Sequence, residues 1–396
     1  MLLEPLDPNE RFRSRRRQAG RRRAMRRIAV LSVVALTAAG LTLGARFLTV
    51  RDRKGAASPN SAPAKTPTET KTKPQPRALP AEMRGVHVTM ALASLDGKIG
   101  EYLGLTREGL NTIELDIKDE NGDVGFRRPL VPLAHQTGAA KRYYNAYEVA
   151  RQVHARGVYL VGRIVVFEDP VLSEHKPRYA IRTRDGGVWH TGAGLGWVNP
   201  FDKRVWKYVT DLGAAAAKAG FDEIQFDYVR FPTDGDISNA VFPGATRKSK
   251  AGVIADFISY ASSRLKPLGV RVSADVFGLS ATRNMRIGQR PNRLARYLDA
   301  IYPMVYPSHF GPGEYNIDNP NAQPGRTVAL ALRDFDIALR GSKTRLVPWL
   351  QDFSLGRTYT LADVRDQIQA ARDAGTEGFL LWNAGGVYTR AALAGP

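Results

Sequence analysis

The sequence predicts an α/β fold, a (β/α)8 TIM barrel preceded by an N-terminal transmembrane helix and a disordered linker. Three observations predict it. Eight short apolar runs close on charged or aromatic residues and are separated by helix-sized spacers. An arginine-rich stretch leads into eighteen uncharged residues. A stretch rich in Pro, Ala, Ser, Thr and Lys then joins that segment to the first apolar run.

The runs cover 84–89, 112–118, 158–167, 223–231, 271–278, 300–307, 345–353 and 378–383. Buried parallel strands read as near-continuous β-branched and apolar runs, and an acid at the C-terminal end of such a run points at the mouth of a barrel. Helix-like segments at 147–156, 205–219, 253–265 and 361–374 lie between them, the last with Thr360 placed to cap its start and Gly375 to end it. Strand and helix alternation implies parallel pairing, and eight such units imply closure. An open doubly wound sheet would carry a glycine-rich phosphate turn after its first strand, whereas this chain has Thr89-Met90-Ala91-Leu92.

The 396 residues carry a formal charge of +20, unevenly placed. Residues 1–54 hold 14 Lys and Arg against 4 acids, and residues 55–80 hold 4 against 1, leaving +7 for the rest. A basic tail rather than a basic folded face argues against nucleic-acid binding. Residues 1–27 are read as a basic cytoplasmic tail. Residues 28–45 carry no charge, and with 46–50 they form a transmembrane signal anchor of residues 28–50, oriented by the arginines with its C-terminal side outside the cytoplasm. A cleaved secretory signal, with Ala38, Ala39 and Gly40 at its small-residue site, is the competing reading. Residues 51–80 hold too few large apolar side chains to offset ordering entropy, so they are expected to be a disordered tether to a domain spanning 81–396. The absence of cysteine excludes disulfides and thiolate chemistry.

Strand 4 reads Glu223-Ile224-Gln225-Phe226-Asp227, whose period-two alternation puts Glu223, Gln225 and Asp227 on one face. Asp275 ends the neighbouring strand at nearly the same height. Strands about 4.8 Å apart bring two such carboxyls near the roughly 5 to 5.5 Å separation of retaining glycosidases. Asp227 is therefore the expected nucleophile and Asp275 the expected general acid/base. Arg163 and Arg230 are candidates for binding substrate, or would pair with Asp227 in a purely structural alternative, and an acid at Asp275 would otherwise cap a helix or hold a loop. Strand 2 sets Thr112, Glu114, Asp116 and Lys118 on one face, where Asp116 and Lys118 are candidates for orienting substrate. Asp169 closes strand 3 as a further acid. Tyr306 and His309 follow strand 6, while Trp349 and Asp352 end strand 7 and Trp382 and Asn383 end strand 8, offering rings and hydrogen-bonding groups to a sugar. The insertion 168–201, with Trp189, His190 and Trp197, and the insertion 308–324, with Phe310 and Tyr315, are expected either to bind sugar rings or to pin their loops.

The set Leu115-Asp116-Ile117-Lys118-Asp119, Arg163 to Pro170, Asn199-Pro200-Phe201-Asp202, Phe226 to Pro232, Tyr302 to Pro307, Trp349 to Phe353 and Gly378 to Asn383 resembles the putative glycoside hydrolase domain family of bacterial surface proteins, over about residues 82–390. The resemblance implies a remote relationship to alpha-amylase-like barrels, with a strand 4 Asp as nucleophile and a strand 5 acid as proton donor. Those roles fall on Asp227 and Asp275. Amylase-type barrels usually have Glu on strand 5 and an Asp–His pair on strand 7, whereas this chain has Asp275 and Gln351-Asp352.

A metal-dependent barrel hydrolase would need a His-x-His pair on strand 1, where this chain has His87 alone, so neither a metal nor another cofactor is expected. The expected function is a membrane-anchored, extracytoplasmic glycoside hydrolase or transglycosidase acting on an envelope or extracellular polysaccharide. The rival is a non-catalytic carbohydrate-binding or cell-wall scaffold, in which the aromatics matter and the acids do not.

Overall fold

The computed structural model describes residues 74–394. The expected tail and anchor, and residues 51–73 of the expected tether, lie outside the described residues. Among the described residues no helix is long and apolar enough to cross a membrane.

Eight parallel staves close into a barrel. They are β1 (Met83–Val88), β2 (Thr112–Lys118), β3 (Tyr159–Val165), β4 (Glu223–Asp227), β5 (Arg271–Phe277), β6 (Ala300–Met304), β7 in two pieces (Arg345–Leu346 and Trp349–Gln351) and β8 (Gly378–Trp382). Each pairs with its sequence neighbours, and β8 returns to β1 with Met83 opposite Gly378. All eight runs expected from the sequence are strands. The seventh is split by Pro348, which has no N–H to give to a ladder. The wall stays joined there because Val347 N–H donates to Ile301 O at 3.1 Å and Leu380 N–H to Pro348 O at 3.0 Å.

The return helices used below are α1 (Lys98–Gly104), α2 (Ala146–Ala155), α3 (Lys203–Ala219), α4 (Lys250–Leu265), α5 (Pro291–Leu294), α6 (Pro324–Leu339) and α7 (Leu361–Asp373). Their ends follow local chemistry. Asp202 caps α3, Ser249 caps α4, and Thr360 with Asp363 forms a reciprocal capping box on α7. Apolar faces of these helices bury residues such as Val209, Leu212, Ile254, Phe257, Leu332 and Ile368 against the outer side of the barrel. The fifth unit departs from the pattern, since α5 has four residues where its neighbours α4 and α6 have sixteen each.

Inside, the barrel is polar in layers. At its base Glu223 is fully buried and accepts hydrogen bonds from Tyr302 Oη at 2.9 Å and Tyr159 Oη at 3.1 Å. Burial and then the Glu223 charge push both phenols well above their ordinary pKa, so the tyrosines act as donors to the carboxylate. A bulge in β2 between Asp116 and Lys118 breaks the two-residue alternation there.

Gly378 controls the β1–β8 seam. Its φ is 127°, and a Cβ built on it would lie 2.1 Å from Met83 O and 2.3 Å from Met83 N. Gly378→Ala is expected to lower stability by about 3 kcal/mol or more through combined strain and seam opening, read as a shift of the urea midpoint. An unchanged midpoint would contradict this closure.

Candidate active site

The strand ends place a ring of charged side chains at the open face. Arg163 on β3 stands in register with Asp116 on β2 and beside the end of β4. Its Nε and Nη2 donate to Asp227 Oδ2 at 3.0 and 2.6 Å, and its Nη1 donates to Asp116 Oδ1 at 2.7 Å. Burial works against the guanidinium charge, but attraction from Asp227 and Asp116 outweighs it and raises the Arg163 pKa well above its ordinary value. One buried cation therefore holds two carboxylates from neighbouring strands in fixed positions.

Asp227 also accepts the Tyr228 N–H on Oδ1 at 2.6 Å. Tyr228 sits at φ 49°, a left-handed conformation that is an outlier for a bulky side chain. Strain of this kind, of order 1–3 kcal/mol, concentrates at functional sites. Sequence alternation does not reveal it.

Asp275 is level with Asp227, because Phe226 and Ala274 are register partners and each acid follows by one residue. Its Oδ1 accepts from Trp349 Nε1 at 2.7 Å and Gln225 Nε2 at 3.0 Å. Burial, followed by repulsion from Asp227 and Glu114, pushes its pKa well above the ordinary carboxylate value. Asp227 is 7% exposed and Asp275 2%, so Asp227 is the acid with more access to the mouth. The two carboxyls share a level but not an environment: one faces a guanidinium, the other neutral donors.

Glu114 and His87 complete the cluster. The sequence placed Glu114 on the interior face and weighed His87 as a metal ligand, but proposed neither for a site. The signal was present in that polar alternation opposite a histidine of β1. His87 Nδ1 hydrogen bonds Glu114 Oε2, and its Nε2 is 3.7 Å from Asp116 Oδ2. The His87 ring stacks on Trp382 at 4.3 Å between centroids. Burial first, opposed by Arg163 and reinforced by Asp116 and Asp227, raises the Glu114 pKa well above its ordinary value. Among the described residues its buried Oε1 has no hydrogen-bond partner.

The remaining expected residues divide between mouth and frame. Beyond the β2 bulge Lys118 turns away from Asp116, donates to Val165 O at 2.7 Å and pairs with Asp169 Oδ2 at 3.1 Å, with both side chains inaccessible. Asp169 also caps the helix Pro170–His175 through Leu172 N–H. These two brace the β3 loop and do not face the Arg163 cluster. The partner of Asp227 is Arg163, while the Arg230 guanidinium lies 4.9 to 5.1 Å from the rings of Trp197, Tyr228 and Phe277. Trp349 is fully buried and serves as the donor to Asp275, not as an exposed stacking face. Asp352 accepts from Thr389 Oγ1 at 2.6 Å and Thr389 N–H at 2.7 Å, and Asn383 Nδ2 donates to Asp352 O, so this pair fastens the C-terminal loop. Tyr306, His309 and Phe353 form an edge-to-face trio with centroids 5.3 to 5.8 Å apart, His309 being half-buried. Trp382 is also half-buried. In the long β3 insertion Trp189 and Trp197 are buried and pin the loop, Trp189 donating to Asp236 O at 2.8 Å. Among the described residues no group of three or more His, Cys, Asp and Glu side chains is arranged to hold a metal ion.

A closed parallel barrel with adjacent carboxyls ending β4 and β5 is the frame of a glycoside hydrolase-type domain. The chain matches the family described as "Putative glycosyl hydrolase domain" over residues 85–388, and belongs to it. A hypothetical protein from Ruminiclostridium thermocellum is similar at 36% identity, over 48% of this chain and 97% of that one, with a TM-score of 0.45. The PgaB (BpsB) glycoside hydrolase domain of Bordetella bronchiseptica shares the fold at 15% identity, 78% and 95% coverage, and a TM-score of 0.55. The C-terminal domain of a putative chitinase from Desulfitobacterium hafniense does so at 11% identity, 79% and 97% coverage, and 0.51. No curated protein matches the chain.

Two outcomes follow for stability. Arg163→Met leaves Asp116 and Asp227 buried without their cation and is expected to cost about 3–5 kcal/mol in denaturant unfolding; a loss below about 1 kcal/mol would show that the carboxylates do not depend on it. Asp275 has a raised folded-state pKa, so its favourable contribution is complete below the unfolded value and is lost as pH rises through the folded one. Asp275→Asn keeps an acceptor for Trp349 and Gln225 and is expected to gain stability relative to the native protein as pH rises above about 4. A difference that stays constant with pH would contradict the shift.

Proposed function

We propose that the barrel is a glycoside hydrolase or transglycosidase that acts on an envelope or extracellular polysaccharide through the Asp227–Asp275 pair. The observation that carries this reading is the opposed environment of two level carboxyls on adjacent strands. Asp227, held by Arg163 through Oδ2 and by the Tyr228 amide through Oδ1, is the nucleophile. Asp275, pushed by burial and by its neighbour toward its protonated form, is the proton donor to the leaving oxygen. Strand spacing of about 4.8 Å suits an acid that attacks while its neighbour protonates.

His87 and Glu114 hold the β1–β2 side of the site, and the half-buried Trp382 stacked on His87 offers an apolar edge for a sugar ring. Tyr306 and His309 line the opposite rim in this reading. Residues 28–50 anchor the chain in the membrane, or are removed as a signal, and in either case the barrel works outside the cytoplasm. Membership in the glycosyl hydrolase domain family supports the enzymatic class.

The test uses a soluble fragment beginning at Ala81, presented with the host's surface glycans and assayed for released reducing ends. Asp227→Asn is expected to lower turnover by roughly 10⁴-fold or more while glycan retention survives; unchanged turnover would reject Asp227, and absence of turnover in the native fragment together with retention would favour the carbohydrate-binding scaffold. Asp275→Asn is expected to lower turnover by about 10²–10⁴-fold. Because the donor acts when protonated, native kcat/KM should fall as pH rises through the raised Asp275 pKa, and this alkaline limb should vanish in the variant. A limb that persists would assign it to another group.

A further inference from the structure

The short fifth helix leaves a trough on the flank of the barrel. In a complete unit α5 would fill the space between α4 and α6; here four residues touch both helices and leave depressions above and below. The upper one, about 740 Å³, is lined by Lys250, Arg286, Arg290 and Arg293 and by no acid. The lower one, about 650 Å³, is lined by Lys266, Arg271, Arg296, Arg340, Lys343 and Arg345, with Asp299 as its one acid. Asn292 and Ala338 line both, so the two lobes adjoin.

The charge is poorly compensated within the domain. Asp299 is engaged by Lys266 at 2.8 Å, and Arg340 is 3.8 Å from Asp336. Among the described residues no carboxylate lies within 4.0 Å of the other eight cations. Among the described residues both Nη atoms of Arg345 lack a hydrogen-bond acceptor, and because they are buried its charge lies beneath the surface of the lower lobe. The +7 of the folded part is therefore concentrated rather than dispersed, and a concave strip of one sign focuses the field on a ligand of the other.

Shape and position select the ligand. A trough between two helices receives a narrow chain, whereas a flat bilayer would rest on the α4 and α6 ridges. The upper lobe is formed by the β5–α5 loop, which begins directly after the strand that carries Asp275, so the trough opens onto the same end of the barrel as the carboxyl pair. We propose that this trough is a secondary binding site for an acidic polysaccharide, which it holds along the flank of the barrel so that the chain reaches the mouth. The mechanism is electrostatic and non-covalent. It rests on the glycoside hydrolase reading for the identity of the chain as a glycan, whose charge is carried by carboxylate or phosphodiester groups.

The experiment uses the full chain carrying Asp227→Asn, with and without the triple substitution Arg293→Ser, Arg296→Ser and Lys343→Ser. These side chains are exposed and make no ion pair among the described residues. Affinity is measured at about 0.1 M salt, where the Debye length is about 10 Å, for polygalacturonate, a phosphodiester-bearing phosphomannan, neutral dextran, a DNA duplex and phosphatidylglycerol vesicles. Binding of either acidic polymer at least tenfold tighter than dextran, reduced tenfold or more by the triple substitution, is the expected result; which polymer binds identifies the anionic group. Equal binding with and without the triple substitution, no preference over dextran, or a stronger trough-dependent affinity for DNA or vesicles overturns the proposal. Restoring Asp227 in the triple variant should leave the hydrolysis of a small neutral glycoside unchanged, so a protein that binds acidic glycan through the trough but hydrolyses nothing would reject the enzymatic reading and not the trough.

Discussion

Arg163 is the interaction on which the mouth of this barrel depends. Three strands, β2, β3 and β4, end on its guanidinium, which donates to Asp116 on one side and to Asp227 on the other. Without that cation two buried carboxylates would repel each other at the end of a low-dielectric barrel, and the several kcal/mol needed to desolvate each would go uncompensated. With it they are fixed in geometry, and Asp227 directs its field at Asp275 on the next strand. The acid–base asymmetry of the site thus follows from which strand carries the arginine.

The same economy appears in the frame. The base is locked by two phenols donating to Glu223, a solution in which the acceptor is an acid and every donor is neutral. The mouth instead combines a cation with several acids, a raised Glu114 with an unpartnered oxygen, and a tyrosine in a left-handed conformation. An acid met by two neutral donors at the base, and a cation among several acids with a strained tyrosine at the mouth, separate the part that holds the barrel together from the part that carries the candidate site.

Much of this was legible in the residues. The eight apolar runs, the inward face shared by Glu223, Gln225 and Asp227, and the level placement of Asp227 and Asp275 follow from a period of two and from parallel register. The cap at Thr360 and the turn at Gly375 were equally local, while the reciprocal bond from Asp363 adds to that cap in the fold. What was hidden depends on contacts between distant segments. Lys118 shares the parity of Asp116, but a bulge rotates it toward Asp169. Arg230 is three residues from Asp227, yet the partner comes from β3, 64 residues away. Trp349 looks like a stacking platform in sequence and is a buried donor in the fold, because its indole reaches over β6 to the acid of β5, 74 residues away. Truncation of the fifth helix could not be read from the count of strands, since a four-residue helix and a full one occupy similar stretches of loop-like sequence.

The central claim is that burial and the Asp227 charge raise the pKa of Asp275 well above the ordinary carboxylate value. It is tested most directly by ¹³C NMR titration of the Asp275 carboxyl in the native protein and in Asp227→Asn. The account predicts a native midpoint well above the ordinary carboxylate range and a lower midpoint in the variant. A native Asp275 that titrates with ordinary aspartates, or a midpoint that ignores the loss of Asp227, would contradict it.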